Sequence, residues 1–193
     1  MLHISEQKIE LRAAILERIR HMNEQQRAAE SRSIALRILE ALPKDRAVCV
    51  YYPLSTEPDL LSLLAEILTR NQPLFLPAFD GQNLVMHRVL DLSQLQTGSF
   101  GIPEPSSDAE ILDTKTPVTV LIPGRAFGAA GGRLGRGNGG YDRWITAHRQ
   151  ENAQSRYFGV AFDCQMVNSV PMEEHDAPVD GVFTPRGFVP AQK

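Results

Sequence analysis

Apolar residues return at Leu11, Ile15, Ile19 and Met22, a spacing that predicts an amphipathic helix opening near Ser5, its expected N-cap. On that helix Lys8, Arg12, Ile15 and Ile19 share one face, because offsets of four, seven and eleven return to nearly the same direction. Two cations therefore extend the stripe that should meet the rest of the protein. Either their stems cover apolar surface while their heads reach water, or the heads point into a cleft. A second helix is expected over 24–42, with Ala28, Ser31, Ala35, Ile38 and Leu42 inward and Ser31 as a small residue tolerated there.

After Pro43 the period changes. Residues 47–52 (AVCVYY), 73–77 (PLFLP) and 116–122 (TPVTVLI) read as short buried strands, and 83–89 (NLVMHRV) alternates as an edge strand would. Residues 58–70 read as a helix with Pro58 in its first turn, 99–105 as loop, 141–152 as helix, and 157–162 and 179–184 as strands. Strand and helix alternate, which predicts an α/β fold: one domain over residues 1–193, in three layers, with a mostly parallel central sheet flanked by helices and an N-terminal helical pair. In such sheets ligands sit beyond the carboxyl ends of strands.

Composition narrows the function classes. Twenty basic against 23 acidic side chains give a net charge of −3, so the chain as a whole offers no reason to expect nucleic acid or an anionic membrane as partner. Cys49 and Cys164 match no metal-ligand spacing and suit a reducing compartment. The N-terminal residues are charged throughout, with no apolar stretch of signal-peptide or membrane-span length, and the expected location is the cytoplasm.

One region departs from the average. Eight glycines fall between Gly124 and Gly140, and Arg125, Arg133, Arg136, Arg143 and Arg149 accompany them against the single acid Asp142. Clustered glycines let backbone N–H groups converge on an anion, a following helix adds its positive end, and arginines clamp phosphate oxygens. A Walker loop is excluded, since Gly132–Gly137 is followed by Asn138 and Gly139 in place of Lys and Ser or Thr. A G-x-G-x-x-G run at Gly135, Gly137 and Gly140, with Asp163 after the next strand, leaves a dinucleotide-binding oxidoreductase open, although eleven residues separate it from its strand. An ordered loop without a ligand is the remaining reading; long loops in compact domains are usually functional.

The segment RLGRGNGGYDRW at 133–144 resembles the hallmark of the 5-formyltetrahydrofolate cyclo-ligase family. The likeness extends in order to Lys8–Arg12 (K-x-x-L-R), Tyr52…Glu57-Pro58-Asp59, Gly101–Pro105 (GIPEP), Pro123–Phe127, and Pro171…Glu173…His175-Asp176…Val179-Asp180. Gly128 stands where that family has Asp, Asn138 where Gly or Lys is common, and Gly140 where an aromatic precedes the tyrosine. The resemblance implies an ATP- and magnesium-dependent ligase that cyclises 5-formyltetrahydrofolate to 5,10-methenyltetrahydrofolate, acting as a monomer on small molecules. It implies ATP contacts from Lys8, Arg12 and the run Arg133, Leu134, Gly135, Arg136, Gly137, Asn138, Gly139, Gly140 and Tyr141. It further implies catalytic roles for Arg136 and Tyr141, folate contacts from Tyr52 and Glu57, and magnesium held by Asp142 and Asp176. A family member that binds nucleotide without the folate chemistry is the alternative.

Overall fold

The computed structural model describes residues 3–98 and 101–192; the loop expected over 99–105 begins at Ser99 and Phe100, outside the described residues. Helix α1 (Ile4–His21) starts ahead of Ser5. Its N-cap is His3, whose amide donates to Glu6 Oε2 at 2.9 Å. A glutamate in the first turn can reach back in this way, whereas Ser5 is already inside the helix. Helix α2 (Glu24–Ala41) is capped reciprocally: Asn23 Oδ1 accepts the Gln26 amide at 2.8 Å and Gln26 Oε1 accepts the Asn23 amide at 3.0 Å. Leu42 turns extended ahead of Pro43, which cannot continue a helix.

Strand β1 (Ala47–Cys49) is shorter than the apolar run that announced it, because beyond Val50 the chain leaves the sheet for a turn closed by the Glu57 amide on Leu54 O. Helix α3 (Leu61–Thr69) begins after Pro58 rather than around it. Asp59 Oδ1 takes the Leu61 amide at 2.9 Å, and the Asp59 amide is itself held by Ser31 Oγ at 3.0 Å. Ser31 therefore fastens α2 to the start of α3, a role beyond that of a tolerated small residue.

The chain continues through β2 (Leu74–Phe79), β3 (Leu84–Val89), the small pair β4 (Gln96–Thr97) and β5 (Pro103–Glu104), and β6 (Val118–Ile122). It follows with β7 (Ala126–Gly128), β8 (Arg133–Leu134), α4 (Gly140–Glu151), β9 (Arg156–Val160), β10 (Met166–Val167), β11 (Gly181–Thr184) and β12 (Gly187–Pro190). Seven strands form the main sheet in the order β12-β11-β9-β6-β1-β2-β3. Its inner pairings are parallel, and the outermost strands, β3 and β12, run antiparallel to their neighbours. β3 is the edge strand the alternation predicts, but residues 110–112 lie along it: the Leu112 amide reaches Met86 O at 2.9 Å and the Arg88 amide reaches Glu110 O at 2.7 Å. Strand β12 was not anticipated; it is a short hairpin return from β11 whose outward positions are half-exposed.

Strand alternation sorts the core into two layers. Val48, Val50, Leu74, Leu76 and Leu121 face α2 and α3, where Ile34, Ile38, Leu64 and Ile67 are buried. Ala47, Cys49, Phe75, Val118, Val120 and Ile122 face the other side and pack with Ile145 of α4. Each such fully buried aliphatic side chain contributes about 1.5–3 kcal/mol of transfer free energy. α1 makes a third cluster, Ile15 and Ile19 against Ala126, Leu134 and Phe162. The glycine-rich segment therefore differs from the single loop expected: it carries β7 and β8, and α1 packs on them. Phe127 is fully buried there, seated where any side chain at Gly124 or Gly159 would run into its ring.

Candidate active site

A cavity of about 350 Å³ opens at the carboxyl ends of β1 and β6, where the parallel sheet should present a site. Its walls come from four places. The turn after β1 supplies Tyr51, Tyr52, Leu54 and Glu57, and the β2–β3 hairpin supplies Phe79 and Leu84. Ile102 and Glu104 come from the β5 region, and the glycine-rich segment with the first turn of α4 forms the remainder, from Arg133 to Asp142.

The end of the glycine segment is shaped by two left-handed residues, Gly137 (φ 114°) and Gly139 (φ 66°), on either side of Asn138. Asn138 Oδ1 accepts the Gly140 amide at 3.3 Å, and Gly139 is the N-cap of α4, so the positive end of that helix faces the cavity. Arg133 and Asp142 fix the geometry beneath. Arg133 is 3% exposed, its Nη2 lies 2.7 Å from Asp142 Oδ1, and its Nη1 donates to Pro123 O at 3.2 Å. Arg133 Nε is buried with no partner among the described residues. Leaving such a group unpaired costs about 1–3 kcal/mol.

Glu57 is buried beside this cationic wall. Its Oε2 accepts the Leu54 amide at 3.1 Å and its Oε1 lies 3.4 Å from Arg136 Nε. Burial pushes its carboxyl above the usual range, partly offset by the Leu54 N–H and by Arg136 and Arg125. Burial also raises the Tyr141 phenol, helped by the Glu57 charge, so the hydroxyl stays protonated at neutral pH and available as a donor. The Arg133 guanidinium lies 5.8 Å from the centre of the Tyr141 ring.

Of the residues the sequence singles out, Tyr52, Glu57, Arg133, Gly135, Arg136, Asn138, Gly139, Gly140, Tyr141 and Asp142 line this cavity. Lys8, Arg12, Leu134, Gly137 and Asp176 do not. Arg12 Nε donates to Gly135 O at 2.9 Å, so α1 holds the glycine segment from behind. Lys8 is buried, its Nζ 2.5 Å from Asp176 Oδ2 and 2.7 Å from Glu173 Oε2, so its head reaches neither water nor the cavity. The two carboxylates hold Lys8 above its ordinary value although burial opposes this. Leu134 turns its side chain into the core. Glu104, Phe79 and Leu84 were missed; the GIPEP motif was the one signal that could have found Glu104.

Asp142 and Asp176 offer hard oxygens suited to magnesium. The Ala177 amide donates to Asp142 Oδ1 at 3.2 Å, which draws the chain segment of Asp176 up to Asp142. Asp142 commits Oδ1 to Arg133 and Ala177, and Asp176 commits Oδ2 to Lys8 and the Glu173 amide. Ligand atoms of Glu173, His175 and Asp176 lie within 4.8 Å of one another. Asp142 lies outside that group and Lys8 Nζ bonds two of its members, so the oxygens that would meet a cation are Asp142 Oδ2 and Asp176 Oδ1, which carry no hydrogen bond among the described residues.

The dinucleotide reading fails on placement. Two strands intervene before the G-x-G-x-x-G run, and Asp163 lies away from the cavity, bonded to Arg186 Nη2 at 2.6 Å. No helix among the described residues is long and apolar enough to cross a membrane. Fold and cavity together describe an α/β protein with a glycine-rich loop and arginine side chains around a cavity at the carboxyl edge of its sheet. Residues 4–185 match the model of the 5-formyltetrahydrofolate cyclo-ligase family, and the chain belongs to that family. It is 30% identical over 189 residues to the 5-formyltetrahydrofolate cyclo-ligase of Mycolicibacterium smegmatis, covering 94% of this chain and 96% of the relative. It is 30% identical over 177 residues to that of Escherichia coli, covering 89% and 96%. The solved structure of Aquifex aeolicus 5,10-methenyltetrahydrofolate synthetase superposes with a TM-score of 0.81 at 30% identity, covering 96% of this chain and 93% of that one.

Proposed function

We propose that this chain catalyses the ATP- and magnesium-dependent cyclisation of 5-formyltetrahydrofolate to 5,10-methenyltetrahydrofolate, working as a monomeric single domain in the cytoplasm. The observation that carries the reading is the meeting of Glu57 and Arg136 at 3.4 Å on one cavity wall. It joins a buried carboxylate, which can accept N–H groups of a pterin, to an arginine on a phosphate-binding loop. A reaction that brings a folate formyl group to a triphosphate needs both in one cavity.

An amide oxygen is a poor leaving group. The formyl oxygen takes the γ-phosphoryl group and ADP leaves. The N10 lone pair then attacks the activated carbon, the ring closes, N10 gives up its proton, and phosphate departs with the former formyl oxygen. Tyr52 and Glu57 hold the pterin against the aromatic wall. The amides of Gly135 to Gly140 and the positive end of α4 take the phosphates. Lys8, Arg12, Leu134 and Gly137 stand behind the nucleotide subsite and support it, Arg12 through Gly135 O and Lys8 through Asp176. Arg136 neutralises charge on the transferring group, and the Tyr141 hydroxyl donates to it. Asp142 and Asp176 would hold magnesium, which lowers the charge on the phosphate oxygens when bound. Incubating the pure protein with 5-formyltetrahydrofolate, ATP and magnesium should raise methenyl-folate absorbance; folded protein without turnover refutes the reading.

A further inference from the structure

Arg136 is asked to do exacting work from an unpromising position. Its backbone lies between Gly135 and the left-handed Gly137, outside any strand or helix, and its side chain is 43% exposed. Its ion pair with Glu57 is loose at 3.4 Å, against 2.7 Å for the buried pair Arg133–Asp142. Its remaining anchor is Thr56 Oγ1, which accepts from Arg136 Nη2 at 3.2 Å. The same hydroxyl accepts from Arg125 Nη1 at 3.0 Å, so a second guanidinium occupies its other lone pair.

Arg125, unlike Arg136, stands on a rigid base. Its amide donates to Leu134 O at 2.6 Å. The fully buried Gln165 clamps the carbonyls of Gly124 and Arg125 with its Nε2, at 2.7 and 3.3 Å, while its own Oε1 is held by the Phe162 amide at 2.8 Å. Neither Arg125 nor Thr56 lines the cavity. Two like charges sharing one hydroxyl repel, and both feel the single buried carboxylate of Glu57. Without Arg125, Glu57 would have Arg136 as its one near cation, and the pair would close at the expense of any incoming phosphoryl group.

We propose that Arg125 is a positioning residue which, through Thr56 and by sharing Glu57, holds the Arg136 guanidinium at the cavity wall while leaving it free to meet the transferred phosphoryl group. The kinetic part rests on the cyclo-ligase reading above. Arg125→Met and Thr56→Val should each lower kcat about tenfold while KM for ATP moves by less than about twofold, since the effect falls on alignment in the transition state. Thr56→Ser, which keeps the oxygen, should restore kcat. In an Arg136→Ala background Arg125→Met should cost nothing further, because the residue it positions is gone.

The second readout needs no turnover. The Nε–H signal of Arg136 in the nitrogen-15 NMR spectrum, assigned by its loss in Arg136→Lys, should shift or broaden in Arg125→Met and Thr56→Val and return in Thr56→Ser. An unchanged Arg136 signal in Arg125→Met, or an equal kcat loss with and without Arg136, overturns the assignment. Wild-type protein that fails to turn over refutes the reaction, and the Arg136 signal then decides the positioning role alone.

Discussion

Arg133 Nη2 lies 2.7 Å from Asp142 Oδ1, and both side chains are buried, so the base of the glycine-rich loop is held to the first turn of α4 by a buried ion pair. Removing one partner leaves an uncompensated charge: Asp142→Ala should lose about 3 kcal/mol in urea unfolding. The double variant Arg133→Met/Asp142→Leu should recover most of that loss, since replacing a buried pair by apolar groups is often near neutral. It should not recover ATP binding by calorimetry, because the Arg133 charge and the Asp142 oxygens leave together.

Adjacent glycines at the start of α4 should respond oppositely to the same change. Gly139 is left-handed at φ 66°, and a Cβ there would meet Arg143 Nη1 at 2.9 Å, so Gly139→Ala should cost about 1–2 kcal/mol. Gly140 is the first helical residue outside the left-handed region, and a Cβ there meets nothing nearer than Asn138 Oδ1 at 3.8 Å. Gly140→Ala should be neutral or stabilising by about 0.5 kcal/mol. Paired thermal melts decide it; equal losses would contradict the backbone assignment.

What was legible in the sequence is what local periodicity encodes. Ile15 and Ile19 announce α1 by helical spacing, and Val48, Val120 and Leu121 announce central strands by continuous apolarity. Glycine density located the loop because glycine takes the left-handed angles of Gly137 and Gly139 without the strain a side chain would bring. The rest depends on contacts distant in sequence. Thr56 is an unremarkable turn residue until Arg125 and Arg136 arrive on it from 69 and 80 positions away. β7 and β8 are strands of three and two residues, too short to leave a period, and α1 packs against them at Ala126 and Leu134. The helix face left the Lys8 head between water and a cleft, because its two carboxylate partners lie 165 and 168 residues away.

Lys8 ties α1 to the far end of the chain through two carboxylates. Its ammonium separates Glu173 from Asp176, and Lys8→Met would leave those carboxylates facing each other. Glu173 is one-third exposed, so screening limits the cost to about 2 kcal/mol. If Lys8 also contributes charge to the nucleotide subsite, the variant should raise KM for ATP about tenfold and leave KM for the folate unchanged. Initial rates with each substrate varied in turn measure both; a folate KM that rises equally would point to general collapse of the cavity.

His148 gives the protein an acid-side weakness away from the cavity. It is 2% exposed on α4, stacked on Trp144 at 4.8 Å, with Nδ1 2.8 Å from the Tyr157 hydroxyl and Nε2 buried without a partner among the described residues. The Arg149 guanidinium, over the Tyr157 ring at 4.5 Å, adds a positive neighbour on the same side. Burial holds the imidazole below its ordinary value of 6.5. As pH falls through 6.5 the unfolded chain takes up a proton that the folded chain still refuses, so stability declines from there down to the folded-state value. His148→Gln should remove this component, flattening the melting temperature between pH 7.5 and about 5.5 relative to wild type, whatever it costs at pH 7.5. Melts across that range in both proteins measure the difference, and parallel pH profiles would show that His148 is not the group responsible.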